Sequence, residues 1–196
     1  MSRSDPVDLF LKKVMTEADV YKVPRARLET AEFLRGVIIE KSVSSILEIG
    51  TGNGFSAVFF SSLPCVKDVF TFEMDSFRIS LCEQNVKYSD KIHFFPQDFL
   101  SFEGSLSADM VFIDGTKRLY RDFFEFSQRF AHDKTIFVSD NLNFKNHLEN
   151  SVCLEYKHRR ITNKIAEYID FLENNSDFHT EFFFDVGDGV ALTYRV

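Results

Sequence analysis

The sequence is poor in the residues that interrupt or crosslink a chain. It contains no tryptophan, four prolines, eight glycines and three cysteines among 196 residues. Cys65, Cys82 and Cys153 match no metal or redox spacing, so we expect reduced thiols in a cytoplasmic protein. Because no proline- or glycine-rich linker divides the chain, residues 1–196 are expected to form a single domain.

Long apolar runs and an excess of positive charge are absent as well. No stretch approaches the ~20 apolar residues that cross a bilayer, and the N-terminal MSRSDPVDLF lacks the apolar core of a secretory signal. The formal net charge of −7 argues against a protein that binds nucleic acid through its overall field, although a local basic patch can still do so. These absences favour a small-molecule partner and no membrane association.

Two amphipathic helices are predicted ahead of the first strand. The first begins near Ser4, with Pro6 at a position where a missing N–H costs no hydrogen bond. Its apolar face comprises Val7, Phe10, Leu11 and Val14. The second helix runs from about Arg27 to Glu40. Its apolar stripe comprises Leu28, Ala31, Leu34, Val37 and Ile38.

From residue 45 onward, short apolar runs alternate with stretches of helical periodicity. The runs are SILEIG (45–50), VFTFE (69–73), IHFF (92–95), DMVFID (109–114) and TIFVSD (135–140). This alternation is typical of βαβ units and of a parallel sheet with helices on both faces. A charged helix, about Leu154 to Asn174, precedes two strands around Gly187-Asp188-Gly189, which are predicted to form an antiparallel hairpin. The prediction is a Rossmann-like, doubly wound α/β fold with a seven-stranded, mostly parallel sheet.

Three of the eight glycines, Gly50, Gly52 and Gly54, directly follow the first predicted strand. The first strand-to-helix turn of a doubly wound sheet binds ligands, and glycine there permits a tight turn with accessible backbone N–H groups. A dinucleotide fingerprint needs G-x-G-x-x-G, but Phe55 occupies the position of its third glycine. With Glu48 before it, the segment resembles E-x-G-x-G-x-G, motif I of the class I methyltransferases that use S-adenosylmethionine (AdoMet).

The second strand ends on a carboxylate, Glu73, in FTFEMD. Dinucleotide sites and AdoMet sites both use such a carboxylate to bind ribose hydroxyls, so Glu73 does not separate them. An NAD-dependent oxidoreductase and a non-catalytic AdoMet-binding protein therefore stay open as alternatives from other functional classes. The glycine spacing favours AdoMet.

The fourth and fifth strands also end on polar side chains. Asp114 and Lys117 follow the fourth strand in VFIDGTKRLY, and Asp140 and Asn141 follow the fifth in FVSDNLNF. These strands are predicted to be parallel neighbours, so their carboxyl ends open on the same rim as the glycine turn. Two carboxylates and an amide oxygen suit a hard divalent cation, with Mg²⁺ the first choice.

The segments EIGTGNGFSA, FEMD, FIDGTKRLY, SDN and VGDGVAL resemble, in order and spacing, the metal-dependent O-methyltransferases of the catechol and caffeoyl-CoA type. The likeness extends from about Arg27 to residue 196. It implies methyl transfer from AdoMet to a hydroxyl oxygen of a metal-chelated small molecule, such as a catechol or another vicinal diol. It also implies a homodimer, and N-terminal helices within residues 1–44 that cover the site.

The resemblance also implies a role for individual residues. The implied metal ligands are Asp114, Asp140 and Asn141, and the implied catalytic residues are Lys117 and Asp114. The implied AdoMet contacts are Glu48, Gly50, Gly52, Gly54, Ser56, Glu73, Asp98 and Asp114. Glu29 matches an acid of the family's helix before the first strand. Without tryptophan, Phe55, Phe144 and Tyr120 are the aromatic residues predicted to wall the acceptor site.

Charge explains why these residue types suit O-methylation. A phenol with a pKa of about 10 is mostly protonated at neutral pH, whereas methyl transfer needs an oxygen nucleophile that is at least partly deprotonated. A divalent cation stabilises the oxyanion, and Lys117 is predicted to accept the proton.

A basic cluster, Lys157, Arg159, Arg160 and Lys164, begins the long C-terminal helix. Such a cluster is ordinarily a solvated helix face. If it is functional, it can contact phosphate, and some bacterial relatives of the resembled family methylate hydroxylated uridine in tRNA. A tRNA hydroxyuridine O-methyltransferase is therefore the main alternative.

Overall fold

The structure, a computed structural model, describes residues 6–143 and 156–196, and only the backbone of residues 156–159. Its helices are α1 (Pro6–Tyr21), α2 (Leu28–Glu40), α3 (Phe55–Ser61), α4 (Ser76–Asn85), α5 (Tyr120–Ser127) and α6 (Tyr156–Glu173). Its strands are β1 (Ser45–Ile49), β2 (Asp68–Phe72), β3 (Ile92–Phe95), β4 (Ala108–Ile113), β5 (Ala131–Ser139), β6 (Phe178–Phe183) and β7 (Val190–Arg195). Short 3₁₀ turns lie at Val86–Tyr88, Phe99–Ser101, Lys117–Leu119 and Gln128–Phe130.

The seven described strands form one sheet in the order β3-β2-β1-β4-β5-β7-β6. Strands β1 to β5 pair in parallel, whereas β7 runs antiparallel to both β5 and β6. The chain order changes direction between β1 and β4, which is where doubly wound sheets bind ligands. The predicted Rossmann-like fold with its C-terminal hairpin is confirmed.

Helices cover both faces of the sheet because neighbouring residues of the central strands point in opposite directions. Ile46 packs in an apolar cluster with residues of α1, α2 and α3. Leu47, one position later, packs in a second cluster with residues of α5 and α6. In β4 the same alternation directs Phe112 to the first cluster and Val111 to the second. The sheet is thus a rigid support for the loops at its edge.

The apolar stripe predicted for α2 is narrower in the structure. Ala31, Leu34 and Ile38 are buried, whereas Leu28 is 47% exposed and Val37 is partly buried. At 100° per residue, Leu28 and Val37 lie about 90° to either side of the buried line, which puts them at its margins. The stripe prediction was therefore wrong for Leu28.

The other predicted boundaries agree with the structure to within a few residues, except at β5. This strand begins at Ala131, earlier than the predicted residue 135. Its first pairing, Ala108 with Ala131, is followed by a register shift, so His132, Asp133 and Lys134 face solvent before the buried part begins. Sequence periodicity detects only the buried part.

Some predictions fall on residues that the structure leaves undescribed. Phe144, Cys153, the start of the C-terminal helix at Leu154, and the side chains of Lys157 and Arg159 lie outside the described residues. Cys65 and Cys82 are free thiols. None of the helices in residues 6–143 and 156–196 combines the length and apolarity that a bilayer crossing requires.

Candidate active site

The glycine loop closes tightly against the end of β4. Gly50, Gly52 and Gly54 all have positive φ angles, of 104°, 58° and 91°. A Cβ atom on Gly50 would lie 2.6 Å from the backbone oxygen of Asp114, so this position has no room for a side chain. The backbone N–H groups of Gly50 and Thr51 donate to the Phe72 oxygen at 3.0 and 3.1 Å. The loop is therefore held against β2 on one side and β4 on the other.

A cavity opens beside this loop at the carboxyl edge of the sheet. Its described lining residues are Pro24, Arg25, Ala26, Gly50, Thr51, Gly52, Asn53, Phe55, Ser56, Arg78, Asp114, Gly115, Lys117 and Asn141. A second cavity shares Gly50, Arg78 and Gly115 with the first. Its other described lining residues are Ile49, Phe72, Glu73, Met74, Gln97, Asp98, Phe99, Thr116 and Phe123. The two cavities are neighbours at the switch point and are together called the cleft.

Most of the predicted cofactor residues face this cleft. Gly50, Gly52, Ser56 and Asp114 line the first cavity, and Glu73 and Asp98 line the second. Glu48 and Gly54 are not among the described residues that line either cavity. Gly54 precedes α3 and approaches Asn85 instead.

Glu73 holds the glycine loop in place from the end of β2. Its Oε2 accepts a hydrogen bond from the Gly52 N–H at 3.0 Å, and its Oε1 accepts from the N–H groups of Met74 and Asp75 at 3.0 Å each. Arg78 Nη1 lies 3.9 Å from Oε2. A carboxylate has about four acceptor positions, so these three N–H donors leave little of it free.

Glu48 lies behind the loop, fully buried. The Thr71 hydroxyl donates to its Oε2, and Thr71 is itself 2.6 Å from the Thr51 hydroxyl. Burial raises the pKa of Glu48 to about 7, while hydrogen bonds from Ser56 and Thr71 oppose that rise. Glu48 therefore supports the loop from below rather than facing the cleft.

Of the predicted metal and catalytic residues, Asp114, Lys117 and Asn141 line the first cavity, and Asp140 is not among its described lining residues. Lys117 Nζ donates to Asn141 Oδ1 at 2.7 Å, and both side chains line the cavity with Asp114. Asp140 is fully buried beneath them, and its Oδ1 accepts the Asn141 N–H at 2.7 Å. Its Oδ2 is buried without a hydrogen-bond partner among the described residues. Asn141 takes a φ of 61°, a conformation that asparagine tolerates better than most residues.

The electrostatics at this corner fit a cation. Burial and the charge of Asp140 raise the pKa of Asp114 well above its usual range, against the opposing effect of Lys117. Burial also raises the pKa of Asp140, whereas the backbone and side chain of Asn141 oppose that rise. A divalent cation beside both carboxylates would offset this cost, and the unpartnered Oδ2 of Asp140 is a ready ligand.

Within residues 6–143 and 156–196, no group of three or more His, Cys, Asp or Glu side chains is arranged to hold a metal ion. The predicted ligand set contains only two residues of these types, because its third member is the amide of an asparagine.

Support for this corner comes from VGDGVAL in the β6–β7 loop. The N–H of Asn143 donates to the Asp188 backbone oxygen at 2.7 Å, and the Asp188 side chain pairs with Arg27 at 2.9 Å. Tyr120 donates its hydroxyl to the backbone oxygen of Asp140 at 3.0 Å. Tyr120 is almost fully buried and lines a neighbouring cavity with Lys117, whereas Phe55 lines the first cavity. Their place in the acceptor wall stays a prediction.

Sequence reasoning missed two arginines of the cleft, Arg25 and Arg78. Neither belongs to a motif: Arg25 lies in the segment between α1 and α2, and Arg78 lies in the first turn of α4. Glu29, in contrast, is exposed at the start of α2. In the basic cluster, Lys164 pairs with Glu167 on the exposed face of α6.

Several solved structures with this architecture are described as methyltransferases. The chain is similar in structure to a candidate caffeoyl-CoA O-methyltransferase from Staphylococcus aureus, with a TM-score of 0.86 and 23% identity over 95% of this chain and 92% of that one. The chain has the O-methyltransferase fold. The same fold occurs in an O-methyltransferase from Bacillus cereus in complex with S-adenosylhomocysteine, with a TM-score of 0.77 and 16% identity over 100% of this chain and 93% of that one.

Sequence comparison gives a consistent result. The chain is 29% identical to a catechol O-methyltransferase from Niastella koreensis in a match that covers 50% of this chain and 49% of that protein. The aligned part thus spans about half the length of the curated relative. No family model matches the chain. The resemblance to catechol and caffeoyl-CoA O-methyltransferases, predicted from the motifs, is confirmed by these similarities.

Proposed function

We propose that the chain is an AdoMet-dependent O-methyltransferase, working as one domain over residues 1–196 in the cytoplasm. Its acceptor would be a catechol or another vicinal diol or phenol, chelated by a divalent cation. The observation that carries this proposal is a shared cavity: Asp114, Lys117 and Asn141 line the same cavity as the glycine loop. A methyl donor at the loop and a hydroxyl acceptor at Lys117 would therefore meet within one site.

The two halves of the cleft suit the two ends of AdoMet. Glu73 and Asp98 in the second cavity are the residues that would bind the nucleoside, through the acceptor position that Glu73 still has free. Gly52 and Ser56 in the first cavity would contact the methionine end.

The cation would be held by Asp114, Asp140 and Asn141. The strongest support for a cation here is Oδ2 of Asp140. This oxygen is buried without a partner among the described residues, which lowers the stability of the folded chain unless a ligand binds it. A divalent cation, when bound, lowers the cost of ionising an acceptor hydroxyl. Mg²⁺ is the natural choice for this oxygen-rich set.

Lys117, in its neutral amine form, would take the proton that the acceptor hydroxyl loses. Its Nζ is fixed 2.7 Å from Asn141 Oδ1, so the amine is positioned beside the proposed ligands rather than free in solvent. A base must lie within hydrogen-bonding reach of the proton that it abstracts. Asn141 would thus serve twice, as a ligand and as the group that positions Lys117.

The proposal is tested by binding and turnover together. AdoMet and NAD are titrated separately by calorimetry, and S-adenosylhomocysteine formation is followed on catechol with Mg²⁺ and with EDTA. We expect AdoMet to bind and turnover to require Mg²⁺. Lys117→Met should lower turnover by roughly 10²- to 10⁴-fold while AdoMet still binds. Lys134→Met, at an exposed position near the start of β5, is the control. Binding of NAD but not AdoMet would refute the proposal.

A hydroxylated uridine of tRNA is the second candidate acceptor. Lys117 also lines a neighbouring cavity whose charged residues are the basic Arg118, Arg121 and Lys164 and the acidic Asp122 and Glu167, so basic residues are in excess beside the proposed acceptor site. Phosphate groups would be attracted to such a surface. Labelled AdoMet offered with undermodified tRNA should then label the RNA, with a rate that falls steeply as salt rises. Labelling of diols alone would remove this candidate.

A further inference from the structure

Arg25 is a largely buried cation on the wall of the cleft. It belongs to the segment between α1 and α2, and its side chain is only 19% exposed. Its Nε is buried and has no hydrogen-bond partner within the described chain. The contacts of the terminal nitrogens are weak: Nη1 donates to the Ala26 oxygen at 3.4 Å, and Nη2 lies 3.8 Å from Asp19, which is 74% exposed.

The position of Arg25 is fixed by an aromatic ring. Its guanidinium carbon lies 5.4 Å from the centroid of Phe55, the residue that follows the glycine loop. Arg25 and Phe55 both line the first cavity. A planar guanidinium held against a ring loses little freedom when it binds, and its fork of donors matches a carboxylate.

The other cations of this cavity already face an oxygen. Arg78 lies 3.9 Å from the buried Glu73, and Lys117 is bound to Asn141 at 2.7 Å. Among the described lining residues, Arg25 is the cation that holds a buried N–H group without an acceptor. A buried N–H of a charged group that lacks an acceptor marks a place where an anion would bind.

We propose that Arg25 binds the methionine carboxylate of AdoMet, an inference that rests on the proposed function. The methionine end of AdoMet carries one carboxylate and two cationic groups, the amine and the sulfonium. Arg25 attracts the first and repels the other two. It would therefore orient the donor, with its carboxylate at Arg25 and its sulfonium directed away from it.

The test compares AdoMet with decarboxylated AdoMet, which lacks only the proposed partner of Arg25. Both are titrated by calorimetry into the wild-type chain, Arg25→Gln and Arg35→Gln. Arg35 is the matched control, because its guanidinium carbon lies 5.2 Å from the Phe59 ring and it pairs with Glu32 outside the cleft. Arg25→Gln should weaken AdoMet binding roughly 10- to 100-fold and change binding of decarboxylated AdoMet less than about threefold.

Each of the other possible results would contradict a specific part of the proposal. Equal weakening of both ligands would mean that Arg25 only supports the cavity wall, and unchanged AdoMet affinity would mean no contact. If Arg25→Gln instead raised KM for protocatechuate, a catechol that bears a carboxylate, but not for catechol itself, the carboxylate bound by Arg25 would belong to the acceptor. If the wild-type chain bound neither donor, the proposed function would fail, whereas AdoMet binding without selectivity for the carboxylate would overturn this inference alone.

Discussion

Two carboxylates at the same edge of the sheet have opposite surroundings. Glu73, after β2, accepts three backbone N–H groups through its two oxygens. Asp140, after β5, accepts the Asn141 N–H through one oxygen, and its other oxygen has no partner in the part of the chain that is described. The first carboxylate is largely used by the fold, whereas the second keeps an acceptor for which the described residues supply no donor.

Glu48, near the end of β1, is a third carboxylate, and its substitution should change the free energy of unfolding most. Its folded pKa of about 7 exceeds the ordinary 4.5, so the native state keeps a proton that the unfolded chain loses. The free energy of unfolding should therefore fall as pH rises from about 4.5 to about 7, by about 3 kcal/mol in all.

Glu48→Gln removes this titration, because glutamine resembles the protonated form. The variant should match the wild type near pH 4 and exceed it by about 3 kcal/mol at pH 8, measured by urea unfolding at each pH. Glu83→Gln, at an exposed position on α4, is the control. Parallel curves for the wild type and Glu48→Gln would show that Glu48 is ionised at little cost.

Glu73→Gln tests the carboxylate whose oxygens the fold largely uses. Its amide nitrogen cannot accept, so backbone N–H groups among Gly52, Met74 and Asp75 lose a charged acceptor. We expect a loss of about 2 kcal/mol in the free energy of unfolding without any ligand. Urea unfolding checks this value, again with Glu83→Gln as the control. An unchanged midpoint would mean that Glu73 is not a support of the loop.

The sequence identified both carboxylates by the same signature, an apolar run that ends on an acid. It could not tell them apart, because the difference lies in which N–H groups the following loop presents. Gly50 was predictable, since a tight turn after a strand needs glycine. Arg25 was not, because its place in the cleft depends on how the segment before α2 folds over the loop. Local sequence patterns thus predicted the strands and the residues at their carboxyl ends. Which hydrogen-bonding groups of those residues are left without a partner depends on tertiary contacts, which the local patterns do not contain.

Asp140→Asn tests the carboxylate that has one oxygen without a partner among the described residues, and it should have the smallest effect on stability. Asparagine keeps an oxygen for the Asn141 N–H at 2.7 Å but removes a buried charge near Asp114. Without added metal, the variant should be more stable than the wild type by about 1 kcal/mol, the opposite sign to Glu73→Gln. Mg²⁺ should raise the melting temperature of the wild type and leave that of Asp140→Asn unchanged. Destabilisation in metal-free buffer, with the Mg²⁺ shift intact, would mean that Asp140 serves the fold and that the cation is held elsewhere.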